Sequence, residues 1–236
     1  MIKLYKHAEL GKANYGWLKA NYHFSFAHYY NSNRMGFGAL RVINDDWVAS
    51  GRGMPPHPHK NMEIITFVRT GSVTHEDSVG NKGMTKNGEV QVMSAGSGIT
   101  HSEYNRSNGP LTLYQIWIEP NEHNVKPRWD TKSFPSKVKN NGLSLLVSGY
   151  PEDKNEALFI HQEARIYGGK VAKGSRFEHP ITHQAYVLAS SGRFEIITNN
   201  AVTLNKGDGA EVTKTPSMEI IALEDCEILV IDTPKS

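Results

Sequence analysis

The sequence predicts an all-β protein built as two tandem barrels. Apolar residues recur in short alternating runs and seldom at helical spacing, the runs are bounded by turn-forming residues, and the second half of the 236-residue chain echoes the first. Many short strands at even spacing close into a barrel or a sandwich. The length holds one large all-β domain or two small ones. The echo favours two, with a boundary near Ser136, so that residues 1–135 form the first unit and residues 136–236 the second.

In chain order, strands are expected at Ala39-Leu40-Arg41-Val42-Ile43, Glu63-Ile64-Ile65-Thr66-Phe67-Val68, Val90-Gln91-Val92-Met93 and Leu113-Tyr114-Gln115-Ile116-Trp117-Ile118. Arg69-Thr70-Gly71-Ser72, Val79-Gly80-Asn81 and Lys86-Asn87-Gly88 are turn chemistry between them. From Glu119 through Pro127 and Pro135 to Gly142 the chain is polar and reads as a linker carrying a short helix. Strands resume at Ser144-Leu145-Leu146-Val147, Ala185-Tyr186-Val187-Leu188, Arg193-Phe194-Glu195-Ile196-Ile197 and Glu227-Ile228-Leu229-Val230-Ile231. The segment from Glu63 to Val73 aligns with that from Gln184 to Phe194, and Asn87-Gly88-Glu89-Val90 aligns with Lys206-Gly207-Asp208-Gly209 onward at nearly the same offset. A shared offset marks an internal repeat.

Composition narrows the function. A formal charge of +2, from 26 Lys and Arg against 24 Asp and Glu, gives no electrostatic footprint for direct nucleic-acid or membrane binding. The basic cluster from Lys132 to Lys139 is short and reads as a solvated loop. A single cysteine, Cys226, excludes an internal disulfide and a cysteine-rich metal site. The start of the chain shows no signal-peptide pattern and no apolar run reaches the ~18 residues of a spanning helix, so a cytoplasmic protein is expected. The absence of a long apolar stripe suits a monomer.

Histidine, at 11 residues, is the informative count. His57-Pro58-His59 places two imidazoles on one strand face. His101-Ser102-Glu103 repeats the spacing with an imidazole and a carboxylate. If the two segments are neighbours in the barrel wall, all four side chains meet one ion. Three imidazoles and a carboxylate without thiolate suit divalent Fe, Mn, Co, Ni, Cu or Zn. Pro58 lacks a backbone donor, so its strand belongs at an edge or an end. Gly96 and Gly98 fit a tight turn with positive φ. Glu63 suits either an acceptor that orients an imidazole or a plain strand carboxylate. Phe24, Phe26, Met35, Phe37 and Tyr104 read mainly as core, with the option of lining an aromatic-friendly pocket. His75, His123 and His161 have no partner spacing and receive no role. In the second half the matching positions are Glu178, Pro180, Ile220 and Ala222, while His179 and His183 lie roughly 13 Å apart along a strand. That barrel is expected to be structural.

Gly51, His57, His59, Glu63 and Gly71, followed by Gly88, the glycine-rich turn Ser94 to Thr100, His101 and Asn105, resemble the two-part cupin motif. Met93-Ser94-Ala95-Gly96-Ser97-Gly98-Ile99-Thr100-His101-Ser102-Glu103 resembles the signature of the pirin family, as do Gly16-Trp17-Leu18, Phe24-Ser25-Phe26-Ala27, Leu40 to Asp46 and Leu113 to Ile118. The match is dense from Gly16 to Pro120 and thin beyond, and is nearest to bacterial pirin-like proteins with quercetin 2,3-dioxygenase activity. The resemblance implies a bicupin with one divalent metal, iron being favoured, in the N-terminal barrel only, held by His57, His59, His101 and Glu103. It implies a flavonol and dioxygen as substrates and 2,3-cleavage with release of carbon monoxide; of those ligands Glu103 alone has a spare oxygen lone pair and a suitable charge, so it is the expected catalytic base if it lies within hydrogen-bond reach of the substrate hydroxyl. It leaves open a regulatory module acting through a protein partner, a cupin enzyme for another phenolic substrate, and a metal-binding scaffold without turnover.

Overall fold

The computed structural model describes residues 1–134 and 137–235, and it is almost entirely β. In the first half a seven-stranded sheet runs, in spatial order, Arg128–Ser133, Glu89–Ser94, Glu63–Thr70, Leu111–Ile118, Leu40–Val48, Leu18–Tyr22 and Gly11–Asn14. A four-stranded sheet of Gly53–His59, Ile99–Tyr104, Ser72–Asp77 and Lys82–Lys86 closes the barrel. The second half repeats the plan. Its larger sheet runs Ile2–Tyr5, Gly209–Val212, Gln184–Ser191, Cys226–Thr233, Arg165–Val171, Ser144–Ser148 and Leu158–Phe159. Its smaller sheet is Arg176–Pro180, Ser217–Ala222, Arg193–Ile197 and Ala201–Asn205. Glu63–Thr70 and Gln184–Ser191, aligned in the repeat, hold the same place in the two larger sheets.

Two features depart from the sequence-based reading. The segment after Glu119 contains the strand Arg128–Ser133, paired along Glu89–Ser94, and no helix among the described residues. Trp129 and Thr131 favour a pleated surface, and an adjacent free sheet edge gives them one. The chain start also crosses over. Ile2–Tyr5 pairs with Gly209–Val212 and takes in the second barrel the edge position that Arg128–Ser133 takes in the first. The boundary expected between residues 135 and 136 falls outside the described residues.

The two larger sheets share a core. Ile65, Tyr114 and Ile116 from the first barrel pack in one cluster with Ile166, Tyr186, Leu229 and Ile231 from the second. The strand Glu63–Thr70 is therefore buried on both faces: Ile65 and Phe67 face the other barrel, while Ile64 and Thr66 face inward. Arg34 ties the halves together. It lies over the Tyr5 ring and donates to Glu211, to the Tyr186 hydroxyl and to the His23 carbonyl. No helix among the described residues is long and apolar enough to cross a membrane.

Candidate metal centre

His57 and His59 lie on Gly53–His59, an edge strand, as Pro58 requires. The adjacent antiparallel strand Ile99–Tyr104 sets His101 opposite His57 and Ile99 opposite His59. Two residues, Pro55 and Pro56, then lie between Met54 and His57 where only Ser102 lies between His101 and Glu103, so a bulge forms beside the prolines and moves Glu103 opposite Met54. The glycine-rich turn before His101 uses positive φ at Gly96 (50°) and Gly98 (139°), and a side chain at Gly96 would collide with the Val125 carbonyl.

The three imidazoles converge. Ring centroids stand 4.9 Å apart for His57 and His59, 4.5 Å for His57 and His101, and 5.0 Å for His59 and His101. One nitrogen from each lies within 4.8 Å of the others. A second triple with the same spacing joins His101 and Glu103 to His75. His75 has no assigned role in the sequence reading, and the structure corrects this: it is fully buried against His101. The missed signal was His75-Glu76-Asp77, which has the same one-residue gap as the other pairs.

Hydrogen bonds fix the imidazole tautomers. His57 Nδ1 is 2.7 Å from the Pro55 carbonyl, so Nδ1 carries the proton and Nε2 the lone pair. His75 Nε2 is 2.8 Å from Asp77 Oδ2 and donates to it, which leaves His75 Nδ1 as an acceptor. His101 Nδ1, 3.4 Å away, donates to that acceptor and leaves His101 Nε2 with a lone pair. That nitrogen is buried and has no hydrogen-bond partner in the protein. A buried, unpartnered lone pair facing two other imidazoles is the chemistry of a metal ligand. Burial, reinforced by the neighbouring imidazoles, pushes His59 down to about 4 and His101 down to about 3. Both are neutral at pH 7, the form in which an imidazole can bind a metal.

Glu103 crosses the barrel to the larger sheet. Its Oε1 accepts from Gln91 Nε2 at 2.6 Å and its Oε2 from Gln115 Nε2 at 2.7 Å. Gln91, Thr66, Gln115 and Asn44 form one row across four neighbouring strands, each opposite the next. Thr66 donates to Gln115 at 2.8 Å and receives from Gln91 at 3.2 Å, so the row is internally bonded. A carboxylate has about four acceptor sites, so two amide donors leave capacity for a cation.

A cavity of about 310 Å³ opens beside these groups. Leu18, Tyr22, Phe26, Met54 and Trp117 supply apolar walls; Asn44, Asp46, Gln115, His57, His59 and Glu103 supply polar groups. Phe26 is thus in the pocket wall, whereas Phe24 and Phe37 are core and Met35 is exposed. Burial, with Asp45 and Glu103 nearby, raises the Asp46 carboxyl to about 8.

The remaining candidates lie elsewhere. Glu63 is buried, takes a hydrogen bond from Ser94 at 2.7 Å and meets His161 Nδ1 at 3.2 Å. It does orient an imidazole, though one from the second half of the chain. His179 packs on the Tyr167 ring and His183 meets the Tyr150 hydroxyl at 3.0 Å. Among the described residues, clusters with metal-ligand spacing occur only in the first barrel.

The chain is similar to known proteins along almost its whole length. Residues 4–118 match the family model described as Pirin, and residues 145–233 match one described as Quercetinase C-terminal cupin domain. A pirin-like protein of Caulobacter vibrioides is 45% identical over 95% of this chain and 96% of its own. The quercetin 2,3-dioxygenase of Escherichia coli K12 is 42% identical over 99% of both chains. The crystal structure of the Escherichia coli bacterial pirin YhhW in complex with nickel(II) superposes with a TM-score of 0.92 at 42% identity, covering 100% of both chains.

Proposed function

We propose that this chain, which belongs to the pirin family and is a bicupin, is a metal-dependent oxidoreductase that opens a flavonol by 2,3-cleavage with dioxygen and releases carbon monoxide. The observation that carries the reading is the buried, unpartnered His101 Nε2, facing His57 and His59 beside an apolar cavity. In this reading His57, His59, His101 and Glu103 hold one divalent ion. Iron is favoured by the family, and a solved relative binds nickel(II).

When bound, the cation supplies positive charge that lowers the pKa of a hydroxyl group placed against it. The chain's own residues supply the rest. Trp117, Phe26, Tyr22 and Leu18 hold the aromatic rings and keep water away. Gln91 and Gln115 hold both oxygens of Glu103 in place, and Glu103 accepts the proton of the substrate 3-hydroxyl as general base. The second barrel serves as structural support, packed against the sheet that carries Gln91, Thr66 and Gln115.

The test is oxygen uptake together with loss of the quercetin absorbance band in metal-loaded protein. Both should stop on chelation and return on metal addition. A metal-loaded protein that leaves quercetin and oxygen untouched would overturn the reading.

A further inference from the structure

Asn44 and Asp46 stand two residues apart on the strand Leu40–Val48, so their side chains share one face of it. Both line the cavity beside Glu103, and both are buried, at 4% and 7% exposure. The Oδ1 of each has no hydrogen-bond partner in the protein. A buried oxygen without a partner is unfavourable, and two on one pocket wall call for a common cause. Asn44's cross-strand neighbour Gln115 accepts from Thr66 and donates to Glu103 without bonding to Asn44, so the hydrogen-bonded row ends at Gln115.

The surroundings indicate what would complete it. Tyr22, Phe26 and Trp117 offer apolar, aromatic surface for a planar ring. An unpartnered amide oxygen beside an unpartnered carboxyl oxygen calls for a ring hydroxyl, which donates to the first and donates to or accepts from the second. An ammonium would be repelled by a divalent cation in the same small cavity, whereas a neutral hydroxyl would not.

We propose that Asn44 and Asp46 form a hydroxyl-recognising subsite that selects aromatic ligands bearing a ring hydroxyl remote from the metal-facing group over the same rings without it. This rests on reading the cavity as the flavonol site, and it names what that site demands of its substrate. Specificity of this kind is strong because the analogue lacking the hydroxyl leaves both polar oxygens buried and unpaired.

The test is calorimetric binding to zinc-loaded protein under nitrogen, with two probe pairs: phenol against toluene, and quercetin against 3-hydroxyflavone. The native protein should prefer the hydroxylated member of each pair by about tenfold or more. Asn44→Leu and Asp46→Leu should each bring the ratio close to one and should not lower the melting temperature, because each removes a buried oxygen that lacks a partner. Asn44→Ala and Asp46→Ala serve where leucine does not fit. Ratios unchanged in the variants, as direct ligation of the metal by phenol would give, overturn the subsite, and so does the absence of any preference in the native protein. A lowered melting temperature with unchanged ratios assigns the pair a structural role instead. If neither flavonol binds but the phenol preference collapses in the variants, the flavonol reading fails and the subsite stands.

Discussion

His75 Nδ1 stands 3.4 Å from His101 Nδ1, and the other ring nitrogen of His75 stands 2.8 Å from Asp77 Oδ2. The strand Ser72–Asp77 pairs with Ile99–Tyr104, which puts Asp77 opposite His101 and His75 opposite Glu103. Trp129 stacks flat on His75 at 5.1 Å, and Gly83, which has no side chain to obstruct it, leaves room for the indole. A buried carboxylate thus sets the tautomer of one imidazole through another.

His75→Phe should preserve the packing against Trp129 while removing the acceptor for His101 Nδ1. Loss of such a supporting partner typically costs 10–100-fold in metal affinity. A competition titration with a chromophoric chelator measures this, and an unchanged affinity in a folded variant would contradict the tautomer relay.

His101→Ala should lose both bound metal and activity, because it removes the one residue that both triples share. Glu103→Gln should lose activity more than metal if Glu103 is the base. Elemental analysis beside a quercetin assay separates the two, and equal metal loss in both variants would remove the base role while leaving the site standing.

Gln91→Leu takes away the 2.6 Å donor to Glu103 Oε1 inside the barrel. A buried charged acceptor that loses a donor costs about 1.5–3 kcal/mol. Urea denaturation of the metal-free variant should show that loss, and stability equal to the native protein would mean that the amide row does not restrain Glu103.

His23 is wholly buried at the junction of the halves, 3.0 Å from the Tyr186 hydroxyl, and burial with Arg34 nearby holds it down to about 3. Its unfolded value is about 6.5, so the unfolded chain takes up this proton first as the pH falls. Stability is therefore complete above pH 6.5 and declines below it, by about 2 kcal/mol at pH 5 from this group alone. In His23→Gln, the loss of stability between pH 7.5 and pH 5 should be smaller by about that amount in urea denaturation. An identical pH dependence would show that His23 is protonated in the folded state.

Much of this was legible in the sequence. The repeat located equivalent strands in the two barrels, and the one-residue gap in His57-Pro58-His59 and His101-Ser102-Glu103 put each pair on one strand face. That His57 lies opposite His101 depends on strand register, which a glycine-rich turn and a proline-induced bulge set between distant segments. Local pattern carries no such information. His75 and Asp77 obeyed the same spacing rule but lacked the motif that drew attention to the other pairs. Gln91, Thr66 and Gln115 sit in ordinary-looking strands, and only lateral pairing brings them into one row. The exchange of edge strands, with Ile2–Tyr5 joining the far barrel, is likewise a long-range pairing with no local signature.

One ion held between two strands is the central feature of the proposed site. Metal content should be measured by elemental analysis after exhaustive chelation and reloading, on the native chain and on His57→Ala, His59→Ala and His101→Ala in parallel. One tightly held transition-metal ion per native chain and a marked loss in each variant are expected. A folded native chain that takes up no ion, or variants that retain it in full, would contradict the proposed site.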